Sequence, residues 1–174
     1  MNKVLSQLTN TIPRHLSGFI VSKEVTSPEK WNAGEEFVTY RIECVCGEKS
    51  LLLDSSRVTE DYEYFSEVDQ NQYYAPFKVT CPECRRMITV FDPRKHGWDG
   101  RNGDCSSIVG QEFTHVESDA GTVIFTVSFQ GVDNYEELIE EGVEHPEDYF
   151  DTFTIYFRAT GKEKFQQIGS YECA

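Results

Sequence analysis

The sequence predicts a mainly β protein, α+β with minor helix, built on antiparallel sheet. Three observations predict it. Val123, Phe125, Val127 and Phe129 alternate without a break, and Phe153, Ile155 and Phe157 repeat the pattern. A period of two is what a strand with one buried face requires. Runs of β-branched and aromatic residues, Phe37-Val38-Thr39-Tyr40 and Met87-Ile88-Thr89-Val90-Phe91, flank two cysteine pairs. Helical signals are short and few.

Along the chain, Val4, Leu5 and Leu8 at helical spacing suit a short helix or a frayed end. Phe19, Val21 and Val25 predict a first strand. Phe37 to Ile42 predict a second that runs into Cys44, after a loop over Ser27 to Gly34. Leu51-Leu52-Leu53 predicts a third short strand. Residues 54–72 are polar and acidic and read as a loop or short helix. Phe77 and Val79 lead into Cys81, and residues 85–91 lead out as a strand. Asp92 to Asp104 is rich in turn residues. A strand follows over 107–117, and Ala120-Gly121 suits a hairpin from it into Val123–Phe129. Asp133 suits a cap for a helix from Tyr135 to Glu141, closed by Gly142. Pro146 suits the start of a further helical turn through Phe150. Phe165 and Ile168 predict a final strand. The organisation expected is a single domain over 1–174. A subdivision near 102–106 would separate a cysteine-bearing part, 14–105, from a β part with an acidic helix, 106–174.

The chain has 174 residues, with 12 Phe and 9 Tyr, enough apolar surface for a folded core. No apolar run approaches the roughly 20 residues that span a bilayer, so a membrane is not an expected partner. Met1 to Arg14 lacks a basic region followed by an apolar one, so a cytoplasmic location is expected. In that reducing compartment paired cysteines are more often metal ligands than disulfides. With 16 basic against 30 acidic residues the net charge is −14. Repulsion disfavours nucleic acid and anionic membranes, and a basic protein is the better partner.

Cys44-Val45-Cys46-Gly47 and Cys81-Pro82-Glu83-Cys84 are the strongest motifs. Two tight thiol pairs with a long loop between them suit one tetrahedral zinc ion. Four thiolates close the metal to substrate, so Zn2+ here would be structural. A redox Cys-x-x-Cys needs a helix after its first cysteine to stabilise the thiolate. The residues after Cys84 instead predict a strand. Strand, cysteine pair, strand at both places resembles the zinc-ribbon (zinc-knuckle) group of folds over residues 40–91. That resemblance implies a ribbon embedded in the sheet, with Cys44, Cys46, Cys81 and Cys84 as ligands. The first pair is one residue shorter than the usual Cys-x-x-Cys, which leaves room for Cys105 or His96 to replace one cysteine.

Function is less directly written. No Gly-x-Ser-x-Gly, His-Glu-x-x-His, P-loop or Gly-x-Gly-x-x-Gly motif is present. His15, His96, His115 and His145 are scattered singly, so a non-enzymatic role is expected. Residues 133–151 hold nine acids and no Lys or Arg, interleaved with Tyr135, Leu138, Ile139, Tyr149 and Phe150. Like charges on neighbouring helical turns cost stability. A surface of Glu136, Glu137, Glu140, Glu141, Glu144 and Asp148 would bind a basic protein. The concrete expectation is an immunity- or antitoxin-type inhibitor of a basic toxin. Two other classes stay open. Residues 78–101 carry six basic against three acidic residues, and Arg85, Arg86, Arg94 and Lys95 would serve a nucleic-acid-binding ribbon. Asp92, His96, Asp99 and Asp104 would serve a metal-dependent enzyme if they converged.

Overall fold

A computed structural model of the chain describes residues 12–24, 27–28, 37–57, 73–96, 112–129 and 132–172. Among these described residues nine strands run in order: β1 (Phe19–Lys23), β2 (Phe37–Cys44), β3 (Leu52–Arg57), β4 (Tyr74–Thr80), β5 (Met87–Phe91), β6 (Glu112–His115), β7 (Gly121–Phe129), β8 (Phe150–Ala159) and β9 (Gln166–Glu172). Helix α1 (Pro93–His96) follows β5, and α2 (Val132–Glu140) follows β7. Short 3-10 turns lie at Arg14–Leu16 and Pro146–Asp148. The mainly β expectation is met, and the sheets are antiparallel throughout.

The strands form two sheets. The first has the order β1-β2-β7-β8-β9 and the second β5-β4-β3-β6. Both take strands from either side of residues 102–106, which themselves lie outside the described residues.

The alternation seen in the sequence sets which faces meet. Val123, Phe125 and Val127 of β7 and Phe153 and Ile155 of β8 point inward from the first sheet. Phe77 and Val79 of β4 and Phe91 of β5 point inward from the second. The rings of Phe91 and Phe153 stack across the interface, centroids 4.2 Å apart and 9° from parallel. Both are fully buried, and burying a phenylalanine contributes roughly 1.5–3 kcal/mol. Gly169 of β9 lets the sheets close. A Cβ there would lie 2.4 Å from Cζ of Phe77, so only hydrogen fits. Nearby, the Ala75 amide donates to the Tyr171 hydroxyl at 2.6 Å, giving a buried N–H a partner from the opposite sheet.

Several expectations are corrected. Ala120-Gly121 does not make a hairpin, because β6 pairs with β3 in the second sheet while β7 pairs with β2 and β8 in the first. The chain changes sheets there. Gly121 and Leu51 exchange backbone hydrogen bonds of 2.9 and 2.7 Å, and a Cβ on Gly121 would collide with the Arg158 carbonyl. Residues 54–57 are strand rather than loop, extending β3. The Asp92 loop begins as one helical turn. Helix α2 ends as expected. Gly142 takes φ +84, and the Gly142 and Val143 amides donate to the Ile139 and Leu138 carbonyls at 3.0 and 2.9 Å. This crossed pair satisfies carbonyls the helix end leaves open. The helix expected near Val4, the loop over 29–34, and residues 58–72 lie outside the described residues.

Candidate metal centre

Strand β2 of the first sheet ends at Cys44, and β4 of the second ends one residue before Cys81. Cys46 lies in the turn after Cys44, and Cys81 and Cys84 bracket the turn after β4. In the first turn the Cys44 amide donates to the Glu48 carbonyl (2.8 Å) and the Gly47 amide to the Cys44 carbonyl (2.9 Å). In the second the Cys81 amide donates to the Arg86 carbonyl (2.9 Å) and the Arg85 amide to the Cys81 carbonyl (3.0 Å). The two turns share one plan, and the second is a residue longer. The short Cys-x-Cys spacing is absorbed by a tighter turn and needs no substitute ligand. In both turns the residue after the second cysteine has positive φ: +98° at Gly47 and 62° at Arg85. Glycine adopts that conformation freely, whereas arginine is strained in it.

The four sulfurs converge. Cys44 Sγ lies 3.4 Å from Cys84 Sγ, and Cys46 Sγ lies 3.6 Å from Cys81 Sγ. All four fall within 4.8 Å of one another. A disulfide needs about 2 Å, so these are free thiols. A tetrahedral ion with metal–sulfur bonds near 2.3 Å separates its ligands by about 3.8 Å, which these positions fit. Cys44, Cys46, Cys81 and Cys84 are therefore positioned to bind a metal ion. Cys44 and Cys81 are buried, whereas Cys46 and Cys84 are exposed. Burial pushes the Cys44 thiol up to about 12 and raises that of Cys81. The Arg86 amide holds the Cys84 thiol down to about 7. A cation held at the centre would favour the thiolate at every position and would offset the burial.

The other predicted residues fall into two groups. Glu136, Glu137, Glu140, Glu141 and Glu144 are exposed on or just after α2, whose Leu138 is buried. Ile139 stands among them 51% exposed. Asp148 differs in being half-buried and already paired. It accepts from the Arg14 amide at 2.9 Å and Arg14 Nε at 2.8 Å, and Arg14 Nη2 adds a 2.8 Å contact. Arg85, Arg86, Arg94 and Lys95 are all exposed. They sit at opposite ends of β5, separated by about 16 Å of strand, and Arg94 pairs with Asp92 at 3.3 Å.

The Asp92 loop is held by structural contacts. Asp92 Oδ1 accepts from the Arg94 amide at 3.1 Å, and the Asp92 amide donates to His96 Nδ1 at 3.0 Å. His96 is not near the cysteines. Asp99, Asp104 and Cys105 lie outside the described residues.

One feature escaped the sequence. His15, His96 and His145 line a single cleft of about 640 Å³ with Arg14, Lys95, Glu144, Asp148 and Tyr149. His15 Nε2 faces the Val90 carbonyl at 3.0 Å, so it carries the proton and leaves Nδ1 bare and buried. His96 has the opposite tautomer, because its Nδ1 accepts. Burial lowers the pKa of both, that of His96 to about 3 with a further push from His15. Isolated histidines far apart in sequence carry no local pattern that would reveal this meeting.

Comparisons with protein-family models, with curated proteins and with solved structures find no match for the chain. The class defined by fold and site is an antiparallel two-sheet protein with a four-cysteine cluster positioned to bind a metal ion. Among the described residues no helix is long and apolar enough to cross a membrane.

Proposed function

We propose that this chain is a non-enzymatic, zinc-stabilised acidic protein that binds a basic protein partner. Zinc suits the donor set, since four thiolates in tetrahedral array are its commonest structural environment. The paired turns, each ending in a positive-φ residue, support the zinc-ribbon resemblance of residues 40–91. The four sulfurs would saturate the ion, so its role is to hold the sheets.

The observation that carries the binding role is Ile139, exposed among five exposed glutamates that have no basic residue between them. Acidic charge steers a cationic partner to the surface, and an apolar anchor at its centre adds desolvation energy on docking. An inhibitor of a basic toxin is the most concrete form of this reading.

The test uses a fluorescent lysine- and arginine-rich helical peptide as probe. Wild type is compared with a variant carrying Glu136→Gln, Glu137→Gln, Glu140→Gln, Glu141→Gln and Glu144→Gln. Wild type binds with an affinity that falls steeply with salt, and the variant loses at least tenfold. Equal binding by both would overturn the reading. Metal analysis of the purified chain checks the ion, with one zinc per chain expected.

A further inference from the structure

We infer that the cysteine cluster is also an oxidation site, at which a hydroperoxide converts the four thiolates into two crossed disulfides, Cys44–Cys84 and Cys46–Cys81. Release of zinc in this step rests on the zinc reading above; the crossed pairing rests on geometry alone.

The sulfurs of each crossed pair are 3.4 and 3.6 Å apart, so closing to bonding distance moves them little. Each pair also joins an exposed cysteine to a buried one, Cys84 to Cys44 and Cys46 to Cys81. The exposed member offers peroxide an entry, and the buried member lies in place to resolve it. The alternative links, Cys44–Cys46 and Cys81–Cys84, would have to close small rings inside turns already pinned by backbone hydrogen bonds.

The chemistry balances without a further reactant. The exposed thiolate attacks a peroxide oxygen, the O–O bond breaks, and hydroxide leaves and is protonated to water. The resulting sulfenic acid is attacked by the buried thiolate, its S–O bond breaks, and a second hydroxide leaves and is protonated. Each disulfide consumes one hydrogen peroxide and two protons, and two thiolates are oxidised by two electrons. Two peroxides therefore remove all four ligands from one ion.

Crossing matters because Cys44 ends and Cys46 follows a strand of the first sheet, whereas Cys81 and Cys84 follow a strand of the second. The crossed bonds close loops of 40 and 35 residues in sequence separation, and long loops lose the most unfolded-state entropy. Oxidation would replace a metal clamp between the sheets with a covalent one. Links within each pair would leave the sheets untied.

The experiment uses the full chain with Cys105→Ser and Cys173→Ser, reduced and loaded with zinc, then titrated with hydrogen peroxide. A chelating dye follows zinc, fragmentation mass spectrometry of non-reduced peptides maps the links, and thermal unfolding follows the clamp. We expect one zinc released per two peroxides, Cys44–Cys84 and Cys46–Cys81 links, and a melting temperature well above that of the reduced metal-free chain. Links within the pairs, Cys44–Cys81 with Cys46–Cys84, or sulfinic acids would overturn the proposal. If the chain takes up no zinc, the zinc reading fails by itself, and the map from the reduced metal-free chain decides the pairing.

Discussion

The imidazoles of His15 and His96 stack with centroids 3.7 Å apart and planes 10° from parallel. The contact ties the 3-10 turn at Arg14–Leu16 to α1 and the end of β5. Both rings are neutral in the fold, and Arg14, Lys95, Asp92, Glu144, His145, Asp148 and Tyr149 surround them. Protonating either ring places a charge against its neighbour in a poorly solvated position.

Acid should therefore destabilise the protein through this pair. Their folded pKa values lie below the unfolded value of 6.5, and that of His96 falls to about 3. The contribution is complete above about pH 6.5 and drains away as pH falls toward 3. For His96 the loss at pH 5 is about 2 kcal/mol. Urea unfolding at pH 7.5 and 5 measures it. His96→Asn keeps an acceptor for the Asp92 amide and cannot titrate, so its profile should be flatter. An equally steep profile would remove His96 as the cause.

Metal removal should loosen the joint between the sheets. Structural zinc bound by thiolates supplies several kcal/mol or more of folding energy, and 1 kcal/mol shifts the melting temperature by about 2–4 °C in a domain of this size. A chelator under reducing conditions should lower it by about 10 °C or more. Cys81→Ser should do the same without chelator, and added zinc should not restore it.

The two cysteine turns should respond oppositely to glycine. Gly47→Ala puts a side chain at φ +98 and should cost about 1–2 kcal/mol. Arg85→Gly relieves strain at φ 62, offset in part by the entropy of a freer unfolded chain. It should be neutral or stabilising by up to about 1 kcal/mol. Thermal unfolding of both variants with zinc bound tests the pair.

Gly169 and Phe77 should show coupling across the sheets. Gly169→Ala drives a methyl group into the Phe77 ring and should cost about 1–3 kcal/mol. In a Phe77→Leu background the same change should cost much less, and a double-mutant cycle reads the difference. Additive costs would mean that the backbone, not the ring, resists the change.

Tyr171→Phe is the polar counterpart. It leaves the buried Ala75 amide without its 2.6 Å acceptor while preserving the ring contacts with Phe77 and Phe91. A cost of about 1–3 kcal/mol is expected in urea unfolding.

Local patterns were legible in the sequence wherever they carried their own physics. The alternation at Val123–Phe129 and Phe153–Phe157 marks strands, so β7 and β8 were recoverable from it, but the single buried face it predicts is corrected: Ile124, Thr126, Ser128, Thr154 and Tyr156 on the other face are buried too. The strands flanking each cysteine pair followed from their β-branched residues, and the turn at Gly142 from glycine's freedom at positive φ. The cysteine spacing pointed to the four thiols that the fold brings within 4.8 Å of one another.

Which strands share a sheet depends on partners far along the chain, and there the sequence was silent. Ala120-Gly121 has the composition of a hairpin, yet pairing with Leu51 and close approach to Arg158 make it a crossing between sheets. The pairing of Asp148 with Arg14 spans 134 positions, so charge counting could not show that this carboxylate already has a cationic partner. By itself the sequence determined β7, β8, the strands beside the cysteine pairs, the turn at Gly142 and the four paired thiols, because these follow from short-range periodicity and spacing. Only the tertiary structure decided that thiols at the ends of strands from two different sheets come together and that His15 meets His96. Both depend on packing two faces together, a long-range constraint that no local window contains.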